Sequence, residues 1–338
     1  MIHKKWVYSL IIALSLCFVS WSGCVEQTDY KIIIVETQNG FETLNEAIEE
    51  ATSNQTILLQ PGVYYERVII DKPIRINGVN QSNTIIDGNG VGDVFLILSD
   101  WVEIQNLTIR NCGNQTASDE DAGIDVRSEY NTFQNLNISN NHNYGLFLYL
   151  SHNNTVENCV FYQNEEGGFF SFQCNGNQIE NCSFIDNDRG GYFHRDQNGT
   201  FSNNIVSHNE VKGVYLYGSR NFHIQGNSFS GNDIGMHVKG SKFNLFYNNL
   251  YIGNRIGLDF CCGGSDNTLY QNTFMNSQET HVTGYPINQF DNGSIGNFWD
   301  DYAGVDENND GIGDTVYNVT APTYGHQNVD RYPLMMPT

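Results

Sequence analysis

The chain has 338 residues, with 16 Lys and Arg against 38 Asp and Glu, and a formal net charge of −22 at pH 7. So acidic a surface repels phosphate backbones, which excludes a general role in nucleic-acid binding. The eight cysteines follow no regular disulfide spacing, so a fold dominated by disulfides is excluded as well.

Residues 1–23 have the layout of a secretory signal peptide, with a basic start, an apolar run and small residues at the end. The small residues before Cys24 resemble the lipobox of bacterial and archaeal lipoproteins. We therefore expect lipid attachment at Cys24, a tether over residues 24–30, and a protein anchored to the membrane on the outer side of the cell. An ordinary signal peptide or an uncleaved anchor helix is the alternative interpretation.

Residues 31–56 are predicted to form an N-terminal strand and a helical cap. Between residues 41 and 51 the apolar positions recur at the spacing of one helical face. They are Phe41, Leu44, Ala47, Ile48 and Ala51. A helix here would cover the open end of the structure that follows, together with its unpaired strand edge.

Residues 57–290 contain a repeat of 22 or 23 residues, which is typical of a solenoid. Apolar anchors mark it at Phe133, Val156, Ile179, Phe201, Ile224, Phe246 and Leu269. Each anchor is followed by a second apolar residue and then by a glycine, so each repeat predicts three short strands separated by Asn- and Gly-rich corners. The predicted fold is all-β, a single right-handed parallel β-helix of about ten coils. One insertion, at residues 115–120, interrupts the period.

A second row of residues, three positions after each anchor, predicts a ladder of side chains inside the helix. Its upper part consists of Asn204, Asn227, Asn249 and Asn272. Stacked asparagines can hydrogen-bond the coil above and the coil below where water is absent. Cys159 and Cys182 continue the row downwards, either as a disulfide or as two small core residues.

The strand after each glycine should send alternate residues outward, where an aromatic strip results. The predicted glycan-binding residues are Phe147, Tyr149, Phe170, Phe172, Phe193, Tyr215 and Tyr217. Coils repeat at about 4.8 Å, close to the advance per sugar in an extended glycan, so each ring face could stack on one sugar. A covering loop or partner chain is the alternative. A one-residue slip at the doublets Gly167-Gly168 and Gly190-Gly191 would instead turn Phe170 and Phe193 inward and place Tyr192 and His194 outside.

Catalysis on this face is the second interpretation. Glycoside hydrolysis usually needs two carboxylates within about 5–9.5 Å. The outward acids Asp125 and Asp259 are six coils apart, which disfavours a hydrolase. Lyase or epimerase chemistry on uronic sugars needs an acid, a base and a partner for the sugar carboxylate. Its candidate residues are Tyr215, His237, Lys239, Asp259 and Arg195. The sequence leaves the question of an enzyme open and favours binding without chemistry.

Residues 291–338 form a distinct tail with one metal-like motif. Asp306, Asn308, Asp310 and Asp314 stand at positions 1, 3, 5 and 9 of a calcium-loop pattern, with Gly311 at position 6. Tyr317 replaces the bidentate glutamate at position 12, so a structural Ca²⁺ site and a cluster of Asx turns remain alternatives. Histidine and methionine are scattered along the chain, so copper is not expected.

Several motifs carry a family resemblance. They are the Asn-rich repeats, Gly296-Asn-Phe-Trp299-Asp-Asp-Tyr302, the Asp306–Asp314 segment, Thr315-Val-Tyr317 and Asp330-Arg-Tyr-Pro-Leu334. Over about residues 35–336 the chain resembles NosD-type right-handed β-helix proteins, within the wider group of carbohydrate-binding and sugar-hydrolase (CASH) β-helix domains that includes archaeal surface proteins. The resemblance implies the fold, export and a link to sugars, and it transfers no catalytic residue. A structural envelope protein, or an accessory factor for a metalloenzyme, is the third functional class.

Overall fold

The computed structural model of the protein describes residues 31–113, 121–275, 277–284, 287–320 and 327–338. The predicted signal peptide, the lipid site at Cys24, its tether and the insertion at residues 115–120 lie outside the described residues. The described part contains one α-helix and 35 short strands.

The strands are β1 (Ile32–Ile34), β2 (Asn39–Phe41), β3 (Thr56–Leu59), β4 (Gly62–Tyr64), β5 (Val68–Ile70), β6 (Arg75–Gly78), β7 (Thr84–Asp87), β8 (Phe95–Ile97), β9 (Glu103–Gln105), β10 (Thr108–Arg110), β11 (Ala122–Val126), β12 (Thr132–Gln134), β13 (Asn137–Ser139), β14 (Tyr144–Tyr149), β15 (Thr155–Glu157), β16 (Val160–Tyr162), β17 (Gly167–Phe172), β18 (Gln178–Glu180), β19 (Ser183–Ile185), β20 (Arg189–His194), β21 (Thr200–Ser202), β22 (Ile205–Ser207), β23 (Lys212–Tyr217), β24 (His223–Gln225), β25 (Ser228–Ser230), β26 (Ile234–Lys239), β27 (Leu245–Tyr247), β28 (Leu250–Ile252), β29 (Ile256–Cys261), β30 (Thr268–Tyr270), β31 (Thr273–Met275), β32 (Thr280–Thr283), β33 (Phe298–Trp299), β34 (Tyr317–Asn318) and β35 (Val329–Asp330).

Three long sheets run along the axis of the molecule, and each repeat contributes one strand to each sheet. The first sheet has the order β2-β1-β3-β6-β9-β12-β15-β18-β21-β24-β27-β30. The second sheet has the order β33-β31-β28-β25-β22-β19-β16-β13-β10-β7-β4. The third sheet has the order β32-β29-β26-β23-β20-β17-β14-β11-β8-β5. The predicted right-handed parallel β-helix of about ten turns is confirmed.

The coils stack in register because the apolar anchors fall in the same place in every coil. Phe133 pairs with Val156, and Val156 pairs with Ile179, in the first sheet. All three side chains are buried. Each removes apolar surface from water, which stabilises the stack by roughly 2 kcal/mol per large side chain. The core therefore runs the length of the helix as continuous columns.

The single helix, α1 (Leu44–Glu50), lies in the segment where the sequence predicted one. Thr43 accepts a hydrogen bond from the Glu46 backbone N–H, and the Glu46 carboxylate accepts one from the Thr43 N–H, so the two residues form a capping box. The buried side chains of the helix are Leu44, Ala47 and Ile48. This face packs on strands β1, β2 and β5 at the start of the stack.

The predicted asparagine ladder is confirmed. Asn227 Oδ1 accepts from both the backbone N–H and the side-chain Nδ2 of Asn204, at 2.9 and 3.0 Å. The ladder extends to Asn297, one step beyond the prediction. A second ladder was not predicted, and it consists of Asn141, Asn164, Asn187, Asn209, Asn232 and Asn254. These bonds satisfy buried polar groups at the corners of each coil.

The cysteines of the first ladder row are thiols in this structure. Cys159 and Cys182 are both buried and free, and the Cys159 backbone N–H lies 3.4 Å from Cys182 Sγ. The structure therefore matches the alternative of two small core residues, with Cys182 receiving the ladder bond that an asparagine receives elsewhere.

The tail packs on the last coil through Asp330. Its carboxylate accepts hydrogen bonds from the Asn297 backbone N–H at 2.6 Å and from Trp299 Nε1 at 3.0 Å. Trp299 stacks on Phe274 of the last full coil, with ring centroids 4.5 Å apart. The tail thereby covers the C-terminal end of the apolar core.

Candidate functional site

The candidate site is the outer face of the third sheet, which carries two rows of side chains. The inner row, nearer the start of each strand, is Asp125, Phe147, Phe170, Tyr192, Tyr215, His237 and Asp259. The outer row is Tyr149, Phe172, His194, Tyr217, Lys239 and Cys261, with Arg127 at its lower end. Residues of one row are neighbours in space although about 22 residues separate them in the chain.

The register at one coil differs from the predicted one. Phe170 pairs with Tyr192 and Phe172 with His194, whereas Phe193 faces inward and is 2% exposed. The predicted glycan-binding role of Phe193 is therefore wrong. Arg195 is also misplaced, because it lies in the turn after β20 with a φ of 60° and outside both rows. The alternative register holds at Gly190-Gly191, with Tyr192 and His194 outside, whereas Phe170 stays in the outward row and did not slip.

This register follows from the glycine at which each coil contacts the next coil. A methyl group built on Gly190 would lie 2.4 Å from the carbonyl oxygen of Gly213. At Gly191 the nearest atom would be Phe193, at 3.5 Å. Gly190 is therefore the residue at which two coils approach closely, and Gly191 occupies an inward position where other coils have an apolar side chain.

The inner row is a continuous stack of rings. Phe147, Phe170, Tyr192 and Tyr215 follow one another with centroids 4.7–5.0 Å apart and interplanar angles of 12–18°. Phe147 is 1% and Phe170 is 5% exposed. Neighbouring rings cover the faces, so the predicted contact of sugars with these two residues is wrong. Tyr192 and Tyr215 are half-buried.

The outer row remains accessible to a ligand. Tyr149 is 36% exposed and stacks on the half-buried Phe172, with centroids 5.5 Å apart. His194 lies edge-on between Phe172 and Tyr217, with centroid distances of 4.9 and 4.7 Å. Of the predicted glycan-binding residues, Tyr149, Phe172, Tyr215 and Tyr217 keep exposed surface on this face.

Three cations, Arg189, Lys212 and Lys239, form a basic patch beside the tyrosines. Arg189 and Lys212 are paired on neighbouring coils. Lys212 Nζ lies 4.2 Å from the centroid of the Tyr215 ring, and Lys239 Nζ lies 5.3 Å from that of Tyr217. Burial first, and then the Arg189 charge, lowers the pKa of Lys212. Arg189 also pairs with Asp188 at 3.3 Å and with Glu166 at 3.5 Å. Lys212 and Lys239 therefore supply most of the positive charge of the patch, within a chain whose net charge is strongly negative.

Polar residues terminate the rows at both ends. At the lower end, the Arg127 guanidinium donates two hydrogen bonds of 2.8 Å to the Asp125 carboxylate. At the upper end, His237 Nδ1 lies 2.8 Å from Asp259 Oδ2, and His237 Nε2 lies 3.3 Å from Cys261 Sγ. The hydrogen bond from His237 lowers the pKa of Asp259. Tyr215, His237 and Asp259 are thus brought together on adjacent coils, as predicted.

Cys261 is the functional candidate that sequence reasoning missed. The repeat places it in the outward row, one coil above Lys239, where the vicinal pair Cys261-Cys262 suggests only a metal site, and copper is not expected. Its partner His237 is 24 residues away in sequence. His237 and Cys261 lie two strand positions apart on adjacent coils. This diagonal position in the two rows is the signal from which the pair could have been predicted.

The tail motif hydrogen-bonds to its own backbone. Asp306 accepts from the backbone N–H groups of Asp310 and Gly311, at 3.2 and 2.9 Å. Asp314 accepts from the Glu307 N–H at 2.7 Å, and Asn308 accepts from the Asp310 N–H at 3.0 Å. These contacts are those of an Asx-turn cluster, and Ca²⁺ binding at this loop stays a prediction.

Within the described residues, one group of His, Cys, Asp and Glu side chains could place three ligand atoms around a metal ion. His281, Asp300 and Asp301 offer atoms that all lie within 4.8 Å of one another. His281 Nε2 is 2.8 Å from Asp300 Oδ1, and Tyr317 Oη donates to Asp301 at 2.9 Å. These contacts join the three groups to one another and to Tyr317. No motif in the sequence points to this cluster.

A family model described as "Right handed beta helix region" matches residues 122–274. The chain is 31% identical over 108 residues to the probable ABC transporter binding protein NosD of Stutzerimonas stutzeri. It is 28% identical over 103 residues to the protein of that name from Pseudomonas aeruginosa. The matches cover 32% and 30% of this chain, and they span 23% of each relative. These findings support a right-handed β-helix family with weak similarity to NosD.

Three solved structures are similar in fold. The pectate lyase Pel9A has a TM-score of 0.53 and 18% identity, over 75% of this chain and 76% of its own. The alginate lyase AlyF-OU02 has a TM-score of 0.54 and 14% identity, over 75% and 59%. The A-module of the Azotobacter vinelandii mannuronan C-5 epimerase AlgE6 has a TM-score of 0.51 and 15% identity, over 72% and 91%. At these identities the likeness shows the fold alone. Among the described residues, α1 is too short to span a bilayer, and no candidate membrane helix is present.

Proposed function

We propose that the outer face of the third sheet binds a polysaccharide that carries carboxylate groups. The observation that carries this proposal is the basic patch of Arg189, Lys212 and Lys239 beside the half-buried Tyr192 and Tyr215. Ammonium and guanidinium groups form strong charge-assisted hydrogen bonds with carboxylates. An extended polyuronate would meet one such group on each of several successive coils.

The mode of binding differs from the stacking of sugars on ring faces. The faces of Phe170 and Tyr192 are already covered by their neighbours in the inner row. The tyrosines can instead present ring edges and hydroxyl groups to a ligand. We infer that cations and hydroxyls supply most of the affinity, so binding should weaken with salt.

The similar proteins are consistent with this ligand class. The titles of the neighbours in fold name a pectate lyase, an alginate lyase and a mannuronan epimerase. All of these act on polysaccharides, and the weakly similar NosD proteins are described as binding proteins. The proposal itself rests on the charges and hydroxyls of the face.

Binding of pectate, alginate and an uncharged glucan to the purified protein would test the proposal. We expect both polyuronates to bind and the glucan not to bind. The double variant Lys212→Gln/Lys239→Gln should weaken polyuronate binding by about 10-fold or more, because two charge-assisted contacts are lost. Lys242→Gln is the matched control, since Lys242 pairs with Asp266 in a neighbouring turn. Equal binding of the glucan, or equal loss in the control, would contradict the proposal.

A lyase or epimerase acting on uronic sugars in the same place is the second candidate. It is favoured by the contiguity of Tyr215, His237 and Asp259 next to Lys212, which could supply an acid, a base and a partner for the sugar carboxylate. Unsaturated products from alginate or pectate, or exchange of solvent deuterium into the sugar, would reveal it. Neither signal should survive Tyr215→Phe if Tyr215 takes part in proton transfer.

We further propose export and N-terminal lipid anchoring at Cys24, with α1 covering the open end of the first coil. Support comes from the signal-like residues 1–23 and from the packing of α1 on β1, β2 and β5. Metabolic labelling with a fatty acid tests the anchor, and the label should be lost in Cys24→Ser.

Ca²⁺ binding at the loop Asp306–Asp314 is a separate proposal. Ca²⁺ should raise the melting temperature of the wild type, and this rise should be lost in Asp310→Ala. A structural envelope role remains the proposal if no glycan binds.

A further inference from the structure

Three polar side chains at the upper end of the two rows form one directed chain of contacts. His237 turns Nδ1 to Asp259 Oδ2 at 2.8 Å and Nε2 to Cys261 Sγ at 3.3 Å. Each nitrogen of the imidazole therefore faces a different partner. A carboxylate on one nitrogen and a thiol on the other is the arrangement in which histidine serves as a base toward a nucleophile.

The surrounding structure holds this arrangement in place. His237 pairs with Asp259 and Lys239 pairs with Cys261 between β26 and β29, so backbone hydrogen bonds set their separations. The Thr283 hydroxyl of the next coil donates to Asp259 Oδ1. The Tyr215 ring lies edge-on to the imidazole from the coil below, with centroids 4.9 Å apart. The imidazole thus has contacts on both sides along the row.

All three side chains in this chain of contacts are partly buried. The His237 side chain is 14% exposed and that of Asp259 is 19% exposed. Cys261 is half-buried, at the edge of the face that carries the basic patch. The sulfur therefore keeps some surface that a substrate can reach, and bulk water is largely kept from the contact between His237 and Asp259.

We propose that Cys261 is a nucleophile activated by His237, with Asp259 as a positioning residue, and that it acts on carboxylic esters. The ester substituents of a polysaccharide held on the outer face of the third sheet are the intended substrate class. The choice of a polysaccharide carrier rests on the function proposed above. The activation of the thiol does not depend on it.

The reaction balances without a further co-reactant except water. His237 Nε2 takes the proton of the Cys261 thiol as the sulfur bonds to the ester carbonyl carbon. The carbon–oxygen bond to the alcohol then breaks, and the alcohol leaves with the proton from His237. Water, deprotonated by His237, attacks the resulting thioester and releases the acid, and the proton returns to the sulfur. One ester and one water thus yield one alcohol and one acid.

The electrostatics of the site explain why a base is needed. Burial, followed by the neighbouring Cys262, raises the pKa of the Cys261 thiol, so the thiol is protonated in the resting protein. The groups that face it also include Asp259, which raises this pKa, and Lys239, which lowers it. The imidazole must therefore remove the proton during the attack.

Hydrolysis of p-nitrophenyl acetate by the full chain tests the proposal, with mass spectrometry to locate the acetyl group. We expect acetylation at Cys261, and we expect Cys261→Ala and His237→Gln each to slow turnover by about 100-fold, the usual range for a nucleophile and its base. Lys242→Gln is the control, because Lys242 pairs with Asp266 and takes no part in this chain of contacts, so it should leave the rate unchanged. Circular dichroism would show that each variant keeps the β-helix.

Asp259 requires a separate readout, since it acts through His237. Asp259→Asn should lower kcat with little change in KM, and Asp259→Glu should restore part of kcat. Because a smaller folded fraction would also lower the apparent kcat at constant KM, kcat is calculated per folded molecule from circular dichroism, and the partial recovery in Asp259→Glu is the distinguishing result.

Acetylation at Cys262 or at lysine, or an unchanged rate in His237→Gln, would overturn the proposal. Polyuronate binding is measured separately on Cys261→Ala, which should bind as the wild type does. Ester hydrolysis without polysaccharide binding would contradict the proposed polysaccharide binding and support the activated thiol. Polysaccharide binding without ester hydrolysis would contradict the activated thiol and support the proposed binding.

Discussion

Phe170 and Tyr192 lie opposite each other on adjacent coils, with ring centroids 4.8 Å apart and planes inclined by 18°. This contact joins the buried lower rings of the inner row to the half-buried tyrosines above them. It exists because Gly190 makes the close approach to the next coil, which leaves Tyr192 outside and Phe193 inside. One glycine thus determines which aromatic side chain a ligand can meet.

Gly190→Ala should destabilise the protein strongly, whereas Gly191→Ala should not. A methyl group at Gly190 would clash with the Gly213 carbonyl oxygen at 2.4 Å, and backbone at this contact cannot move without opening the sheet. We expect a loss of about 3 kcal/mol or more for Gly190→Ala and less than about 1 kcal/mol for the control Gly191→Ala. Urea unfolding monitored by circular dichroism measures both. Equal losses of stability in the two variants would contradict the register that places Tyr192 outside and Phe193 inside.

Asn227→Ala should be costly because the ladder depends on each member. Asn227 Oδ1 accepts two hydrogen bonds from Asn204, and Asn227 Nδ2 donates to Asn249 Oδ1 at 2.9 Å. Its removal leaves buried donors without partners, at about 1–3 kcal/mol for each group. The control is Asn175→Ala, an exposed asparagine that bonds Asn198, with an expected change of about 0.5 kcal/mol. Chemical denaturation compares them, and a tolerated Asn227→Ala would show that the ladder adds no net stability.

The free energy of unfolding should fall as the pH rises from about 4 to about 7, because the buried Asp196 ionises over this range. Burial raises the pKa of Asp196 from 3.8 to about 7 in the folded protein. Between those values the folded state holds a proton that the unfolded state has lost, so the free energy of unfolding falls with increasing pH and levels off above pH 7. Asp196→Asn keeps the contacts with Cys174 and Ser171 and removes this ionisation. We expect the variant to be more stable than the wild type at pH 8, by about 2 kcal/mol, and the difference to shrink at pH 5.

Thermal unfolding at pH 5, 6, 7 and 8 checks this prediction. Asp186→Asn is a suitable control, because Asp186 is exposed. A constant difference between wild type and Asp196→Asn across the range would show that Asp196 does not titrate there.

Asp330→Ala should release the tail from the last coil. The Asp330 carboxylate accepts from the backbone of Asn297 and Tyr332 and from Trp299 Nε1. Alanine would leave three donors without a partner in a buried place, at a cost of about 3 kcal/mol or more. Limited proteolysis should then cleave the tail faster than in Glu307→Ala, which changes an exposed residue. Unchanged protection in Asp330→Ala would mean that the stacking of Trp299 on Phe274 suffices to hold the tail.

The coil, its period and its interior could be predicted from the order of the residues alone. Phe133, Val156 and Ile179 recur at 23 residues and pair across coils as predicted, because only in-register stacking buries them all. The ladder from Asn204 to Asn272 followed from the same period, since a buried amide needs a partner above and below. The segment of α1 followed from helical spacing.

The side chains that the outer face exposes depend on contacts between coils. Two registers at Gly190-Gly191 satisfy the alternation of a strand equally well, and the contact of Gly190 with the Gly213 carbonyl of the next coil selects one. Phe147 is outward yet buried because neighbouring rings cover it. Likewise, the approach of His237 to Cys261 depends on side-chain direction between coils. The period of a sequence specifies positions within one coil, whereas exposure and chemistry arise from contacts between coils that the period does not encode.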